Sequence, residues 1–249
     1  MVDGINSAKP DTSSKVDSSK FASVNKLQGG KTQSKTDIEI QKQLAILQDT
    51  DSRMTDRRDA IDNLKELIKK SHISCDTFQS MVEPLKKAMT APGNTVAVRS
   101  GAAELLGTLV GNTPADSKIS MASKEDMVQT CFQALKTETN HAVQSNLAFT
   151  LGNLGTSDIS SASKVKIFHE LGEMVFDRKY DASTLDVADI GVRDLLNSNM
   201  TSELKAGLLD DINNTLKGIE ENNPNIRPGS HIKAVQDTFQ RWQKIVLDK

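Results

Sequence analysis

Aromatic residues are scarce in this sequence of 249 residues: seven Phe, one Tyr and one Trp make up 4% of it. The apolar content is therefore mostly Leu, Ile, Val, Ala and Met, and no run alternates apolar with polar as a half-buried strand does. That excludes a sandwich or barrel and favours helix-on-helix packing. Cysteine is scarcer still. Cys75 and Cys131 make neither a disulfide framework nor a metal-ligand spacing, and both fall on apolar stripes of predicted helices, where they read as small buried hydrophobes in a reducing compartment.

No apolar run approaches the roughly 20 residues of a membrane span. The first residues lack the apolar centre of an export signal, and no Arg precedes Arg53, which argues against a mitochondrial transit sequence. These absences predict a cytoplasmic chain without a membrane span. A dominant charge is missing too, because 31 basic residues stand against 33 acidic ones, a net of −2. No nucleic-acid partner is expected from that balance. The four histidines, His72, His141, His169 and His231, have no metal-ligand partner three or four residues away. Phosphate-binding glycine loops, a His-Glu-x-x-His zinc helix and a Gly-x-Ser-x-Gly elbow are all absent. The expectation is a protein that is not an enzyme and takes no cofactor or metal.

What the sequence does contain is a repeat. The stretch VRSGAAELLGTL, Val98 to Leu109, returns as VQSNLAFTLGNL, Val143 to Leu154, with Ala103 on Ala148, Leu106 on Leu151 and Gly107 on Gly152. Apolar residues at steps of three and four make one helical stripe. Glycine in a helix interior costs about 1 kcal/mol relative to Ala, so the shared Leu-Gly pair predicts that another backbone comes close there. Arg57, Ala60, Leu64 and Leu67 repeat the same steps upstream, and Val192, Arg193, Leu196 and Met200 repeat them less cleanly downstream. The positions 57, 99, 144 and 193 carry Arg, Arg, Gln and Arg at intervals near 45 residues.

Between these helices lie others, with Phe78, Met81, Val82, Leu85 and Met89 on one face, then Met127, Val128, Cys131, Phe132 and Leu135, then Val165 to Val175. A long amphipathic helix from Leu204 to Ile219 and a last one after Ser230, with Phe239 and Trp242 in line, close the chain. Trp242 reads as a packing residue of the terminal cap. The segments Asn112–Lys124 and Gly155–Lys164 resemble each other, SKISMASK beside SDISSASK, and read as duplicated spacers or as parts of a contact surface. Residues 1–35 differ from all the rest: seven Ser, six Lys, one Leu, one Phe and no periodicity. Such a segment buries too little apolar surface to offset its ordering entropy, and disorder is predicted.

The segment VEPLKKAMTAPGNTVAVRSGAAELLGTL, Val82 to Leu109, resembles a HEAT repeat: Pro84 in the first helix, Pro92 and Asn94 in the turn, Val98 and Arg99 opening the second helix. The turn is about one residue longer than is usual in that family. The resemblance implies an all-α fold, an α-solenoid of about five HEAT-like helical hairpins over residues 36–249, preceded by the tail 1–35. It also implies that Arg99 and its copies join Asp51, Asn94 or Asn140 of the turns in a ladder between repeats, rather than forming a basic stripe.

Solenoids present extended faces to protein or peptide partners, and Arg58, Glu104, Asn146 and Asp194 are the second-helix residues expected to point away from the core. The function read from this is an interaction scaffold or adaptor. A leucine-poor start rich in Ser and Lys resembles the N-terminal signals of bacterial type III secreted effectors, which would make the scaffold an effector that binds a host protein; a solvated tail is the alternative. HEAT-like arrays also occur in alkylated-base DNA glycosylases and bilin lyases, so an enzyme on this fold is the rival reading. A glycosylase needs a basic face for phosphates, which the charge balance does not offer.

Overall fold

The computed structural model describes residues 34–49, 51–70, 73–111 and 119–248. The expected disorder of residues 1–35 thus falls outside the described residues, apart from Ser34 and Lys35. Among the described residues ten helices follow in order: α1 (Lys35–Gln48), α2 (Met54–Lys70), α3 (Cys75–Thr90), α4 (Val96–Gly111), α5 (Met121–Thr137), α6 (His141–Thr156), α7 (Ser161–Phe176), α8 (Ala182–Asn197), α9 (Ser202–Asn222) and α10 (His231–Leu247). No strand occurs among the described residues.

The helices pair in sequence as five hairpins, and the hairpins stack into a solenoid. The even-numbered helices pack on one another in an unbroken row, α2 on α4, α4 on α6, α6 on α8 and α8 on α10. From α3 to α7 the odd-numbered helices touch one another far less, whereas α1 lies on α3 as closely as α2 on α4. In its middle the array therefore bends towards the even side, which forms its inner face. The repeat positions of the sequence line the core between the rows: Val98, Ala102, Leu106 and Leu109 in α4 and Val143, Leu147, Leu151 and Leu154 in α6 are all buried.

A short signature starts the first helix of four hairpins. An apolar residue followed by Ser or Thr recurs as Ile73-Ser74, Ile119-Ser120, Ile159-Ser160 and Met200-Thr201. Each hydroxyl caps its helix, accepting from the N–H of Thr77, Ser123, Ser163 and Leu204 in turn. Ile119, Ile159 and Met200 drop into the core just before the cap. This corrects the spacer reading of SKISMASK and SDISSASK. Their common part is a cap and a first turn, because α5 opens at Met121 and α7 at Ser161; residues 112–118 lie outside the described residues.

The preceding outer helix reaches over to several of these caps. Asp37 accepts from the Ser74 N–H and hydroxyl, and Gln79 accepts from the Ser120 N–H while donating to Ser123 Oγ. Glu125 accepts from the Ser160 N–H at 2.6 Å and from the Ser163 hydroxyl. Burial would raise the Glu125 carboxyl, but these donors outweigh it and hold its pKa below the usual carboxylate range. Salt bridges from Lys86 to Asp126 and from Lys124 to Asp158 add to the same outer row.

A second ladder runs through the turns. Arg57 donates to its own turn at Asp49 O and to the next turn at Asn94 Oδ1, both at 2.7 Å. Arg99 repeats the move, with Asn94 O at 2.7 Å and the Glu138 carboxylate at 3.0 and 3.3 Å. Gln144, without a charge, still makes the first half of the contact, donating to Glu138 O at 2.8 Å. So the ladder reading holds at Asn94, with two changes: Arg57 reaches the Asp49 carbonyl and not Asp51, and Arg99 reaches Glu138 and not Asn140, whose side chain is occupied capping α6. Arg193 leaves the series and pairs with Asp189 in its own helix.

Trp242 closes the array as a fully buried residue, edge-on to Phe168 and Phe239 and tilted against Phe176. Cys131 is buried, which pushes its thiol up to about 12 and leaves it inert at neutral pH. Cys75 corrects the expectation of a second buried thiol. It is the first residue of α3, directly after the cap Ser74, and it is exposed because the buried stripe of that helix begins only at Thr77 and Phe78.

Candidate functional site

The inner face is built from the solvent side of the even helices, and its centre differs from its ends. In α6 there is no Asp, Glu, Lys or Arg. In α4 the two charged residues are both engaged, Arg99 with Glu138 and Glu104 with Lys65 of α2 at 2.6 Å. Surface helices ordinarily turn a charged face to water. Here the polar groups of α6 serve the neighbouring helix instead.

Asn146, Thr150 and Asn153 stand on one side of α6 at steps of four and three, so that all three face α4. Asn146 Nδ2 donates to Ser100 O at 3.1 Å and to Ser100 Oγ at 2.8 Å; the Thr150 hydroxyl donates to Ala103 O at 2.7 Å; Asn153 Nδ2 donates to Gly107 O at 3.0 Å. Backbone carbonyls of α4 are thus used twice, once within the helix and once across it. This seam holds the two central inner helices in register and needs no charge to do so.

Beyond the seam α6 and α8 meet through glycine. A methyl group at Gly152 would lie 2.9 Å from Gly191 Cα, closer than packed carbons stand, so the two backbones pass each other bare. The backbone approach expected at the repeated glycine is therefore met at Gly152. At Gly107 the neighbour is a side chain, since the Phe149 ring lies over it. Phe149 of α6 and Ile190 of α8, the residue before Gly191, remain 37% and 48% exposed.

The four residues singled out in the sequence take different places. Arg58 is exposed on α2 and pairs with Asp59 at 3.2 Å. Glu104 is half-buried in its bridge to Lys65, and the Asn146 amide is engaged with Ser100. Asp194 is exposed on α8. They do not form one cluster; they mark successive helices of the row. Phe149 and Ile190 were passed over, although both sit where an otherwise polar face should carry a polar residue. His141, His169 and His231 are scattered, and no group of three or more His, Cys, Asp and Glu among the described residues could hold a metal ion. No helix among the described residues is long and apolar enough to cross a membrane.

What this arrangement defines is an all-α repeat protein with a continuous inner surface. No family model matches the sequence, and no curated protein does. Among solved structures, the chain is similar to an engineered protein whose crystal structure comes from the Northeast Structural Genomics Consortium, with a TM-score of 0.53 and 15% identity over 84% of this chain and 51% of that one. Two further engineered proteins from the same source match over 84% of this chain, with TM-scores of 0.39 and 0.36 and identities of 14% and 18%, covering 97% and 99% of their own lengths. The chain spans about half the length of the first of these. At such identity the likeness concerns the fold alone.

Proposed function

We propose that this chain is a HEAT-like scaffold that binds a protein segment on its inner face, and that it works by binding and not by catalysis. The observation that carries the reading is α6: a helix without a single Asp, Glu, Lys or Arg, on the open side of the row, presenting Phe149, with Ile190 exposed on the next helix of the row. An exposed apolar centre with charged residues only at its borders is the layout of a protein interface. Two helices per repeat and an arginine that joins consecutive turns support the HEAT-like assignment over a three-helix armadillo unit.

A photoreactive residue placed at Phe149 of the full chain tests this in bacterial and eukaryotic extracts, with Gln129 on the outer helix α5 as the comparison site. Specific protein adducts at 149 and none at 129 are expected. Adducts at neither position, or equally at both, would remove the inner-face reading.

The composition of residues 1–35 supports a second element of the proposal, that the scaffold is delivered into another cell as a type III effector. A reporter fused behind these residues should leave a bacterium only when the secretion system is intact; export without it, or no export, would leave the scaffold without that role.

A further inference from the structure

The exposed stripe of α8 has an order that α4 and α6 lack. Asp186, Ile190 and Asp194 follow at steps of four, so they stand in line on one helix face, about 6 Å apart along the axis, and all three are exposed. The nearby Asp189 is occupied, accepting from Trp242 Nε1 at 2.8 Å and facing Arg193 at 3.2 Å. Asp186 and Asp194 have no ion-pair partner among the described residues. Ile190 adjoins Gly191, where α8 meets α6, while the Phe149 ring of α6 lies over Gly107 on the α4 side. The face is thus apolar at its centre and acidic at two fixed points on either side.

That pattern selects by charge and by spacing. A helix face offers no free backbone edge for strand pairing, so a bound segment is read through its side chains. A helical segment laid along α8 repeats the same rise, so residues four before and four after an anchor fall over Asp186 and Asp194 when the anchor meets Ile190. Basic groups at those two positions meet unpaired carboxylates, while acidic ones meet like charge. Building on the protein-binding reading above, we infer that the α6–α8 face docks a helical protein segment carrying a bulky apolar residue with Lys or Arg four residues before and four residues after it.

The probe is a labelled synthetic helix of alanine and glutamine with one central Leu and Lys at both flanking positions, compared with the same helix carrying Glu there. Binding to the full chain is followed by fluorescence anisotropy. The Lys helix is expected to bind saturably and more weakly as salt rises, and the Glu helix about tenfold more weakly, the sum of two modest exposed ion pairs. D186K/D194K should reverse the preference, and because both positions are exposed and unpaired this variant should keep the thermal unfolding midpoint of the parent.

Equal binding of the two helices, binding of neither, or a Lys-helix affinity that D186K/D194K leaves unchanged would overturn the inference. The photo-adduct at position 149 separates this from the broader reading. Its survival in D186K/D194K beside failed peptide selection would reject only the charge rule, and its absence in the parent chain would reject both.

Discussion

The Cα of Gly191 leaves no room for a side chain on Gly152, since a methyl group there would lie only 2.9 Å from it. At Gly107 the corresponding methyl would meet the Phe149 ring at 2.7 Å. The two positions are equivalent in the repeat, yet their neighbours differ in what they can do. A backbone cannot step aside without moving its helix; a partly exposed phenylalanine ring can turn outward. Replacing Gly by Ala within a helix gains about 1 kcal/mol from propensity alone. G107A is therefore expected to be near neutral, whereas G152A should cost about 1–3 kcal/mol through overpacking. Urea denaturation of the two variants decides it, and a G152A no less stable than G107A would mean that the helices do not pass this closely.

The turn ladder gives a graded prediction. Arg57 is 7% exposed and Asn94 5%, so removing the guanidinium strands a buried amide oxygen and the Asp49 carbonyl together. R57A should cost about 3 kcal/mol, in the range for leaving buried polar groups without partners. Arg99 and Glu138 are nearer to solvent, and water can replace part of what is lost, so R99A should cost about half as much. The order of the two urea midpoints is the test, and the reverse order would contradict the burial argument.

Acid should loosen the same turns. Burial would raise the Glu138 carboxyl, but the Asn140 N–H and the Arg99 guanidinium outweigh it and hold its pKa below the usual carboxylate range. A carboxylate depressed in the folded state contributes stability at pH above its unfolded pKa, and that contribution is lost as pH falls through the folded value. Glu125 behaves alike at the α7 cap. Stability measured by urea titration should therefore fall below the usual carboxylate range, and E138Q, which has no proton to take up there, should flatten the decline while being less stable at neutral pH.

Much of this was legible in the residues. The stripes of α4 and α6 keep the same three-and-four spacing, and a long polar side chain eight residues before each glycine, Arg99 before Gly107 and Gln144 before Gly152, marked equivalent packing. The crossing at Gly191 was hidden because α8 breaks that spacing: its glycine comes two residues before Arg193 instead of after it. The seam of Asn146, Thr150 and Asn153 was visible as a polar stripe, but a stripe on one helix does not say whether it faces water or a neighbour's carbonyls. The Ile-Ser starts were seen as similar loops because composition shows likeness without showing where a helix begins. Of the inner face, the sequence shows Phe149 and Ile190 as apolar residues without a core position, and only the packed helices show that both stay exposed, Phe149 over Gly107 and Ile190 beside Gly191.

The last hairpin is tied to the array by a polar contact within an aromatic cluster, besides the exposed pair of His169 on α7 and Asp211 on α9 at 3.3 Å. Trp242 is fully buried and ties α10 to α8 by its 2.8 Å bond to Asp189, which also faces Arg193. In W242F the ring packing against Phe168, Phe176 and Phe239 would be kept in part, but Asp189 would lose its donor, a loss of about 1–2 kcal/mol, and the smaller ring would leave a cavity. Terminal repeats touch one neighbour only, so a loss there need not spread through the stack. Hydrogen exchange should consequently show α9 and α10 losing protection in W242F while α4 and α6 retain theirs, as a local opening and not a global one. If protection fell together along the whole row, the five hairpins would be one cooperative unit, and the inner face around Phe149 could not stay intact when the cap opens.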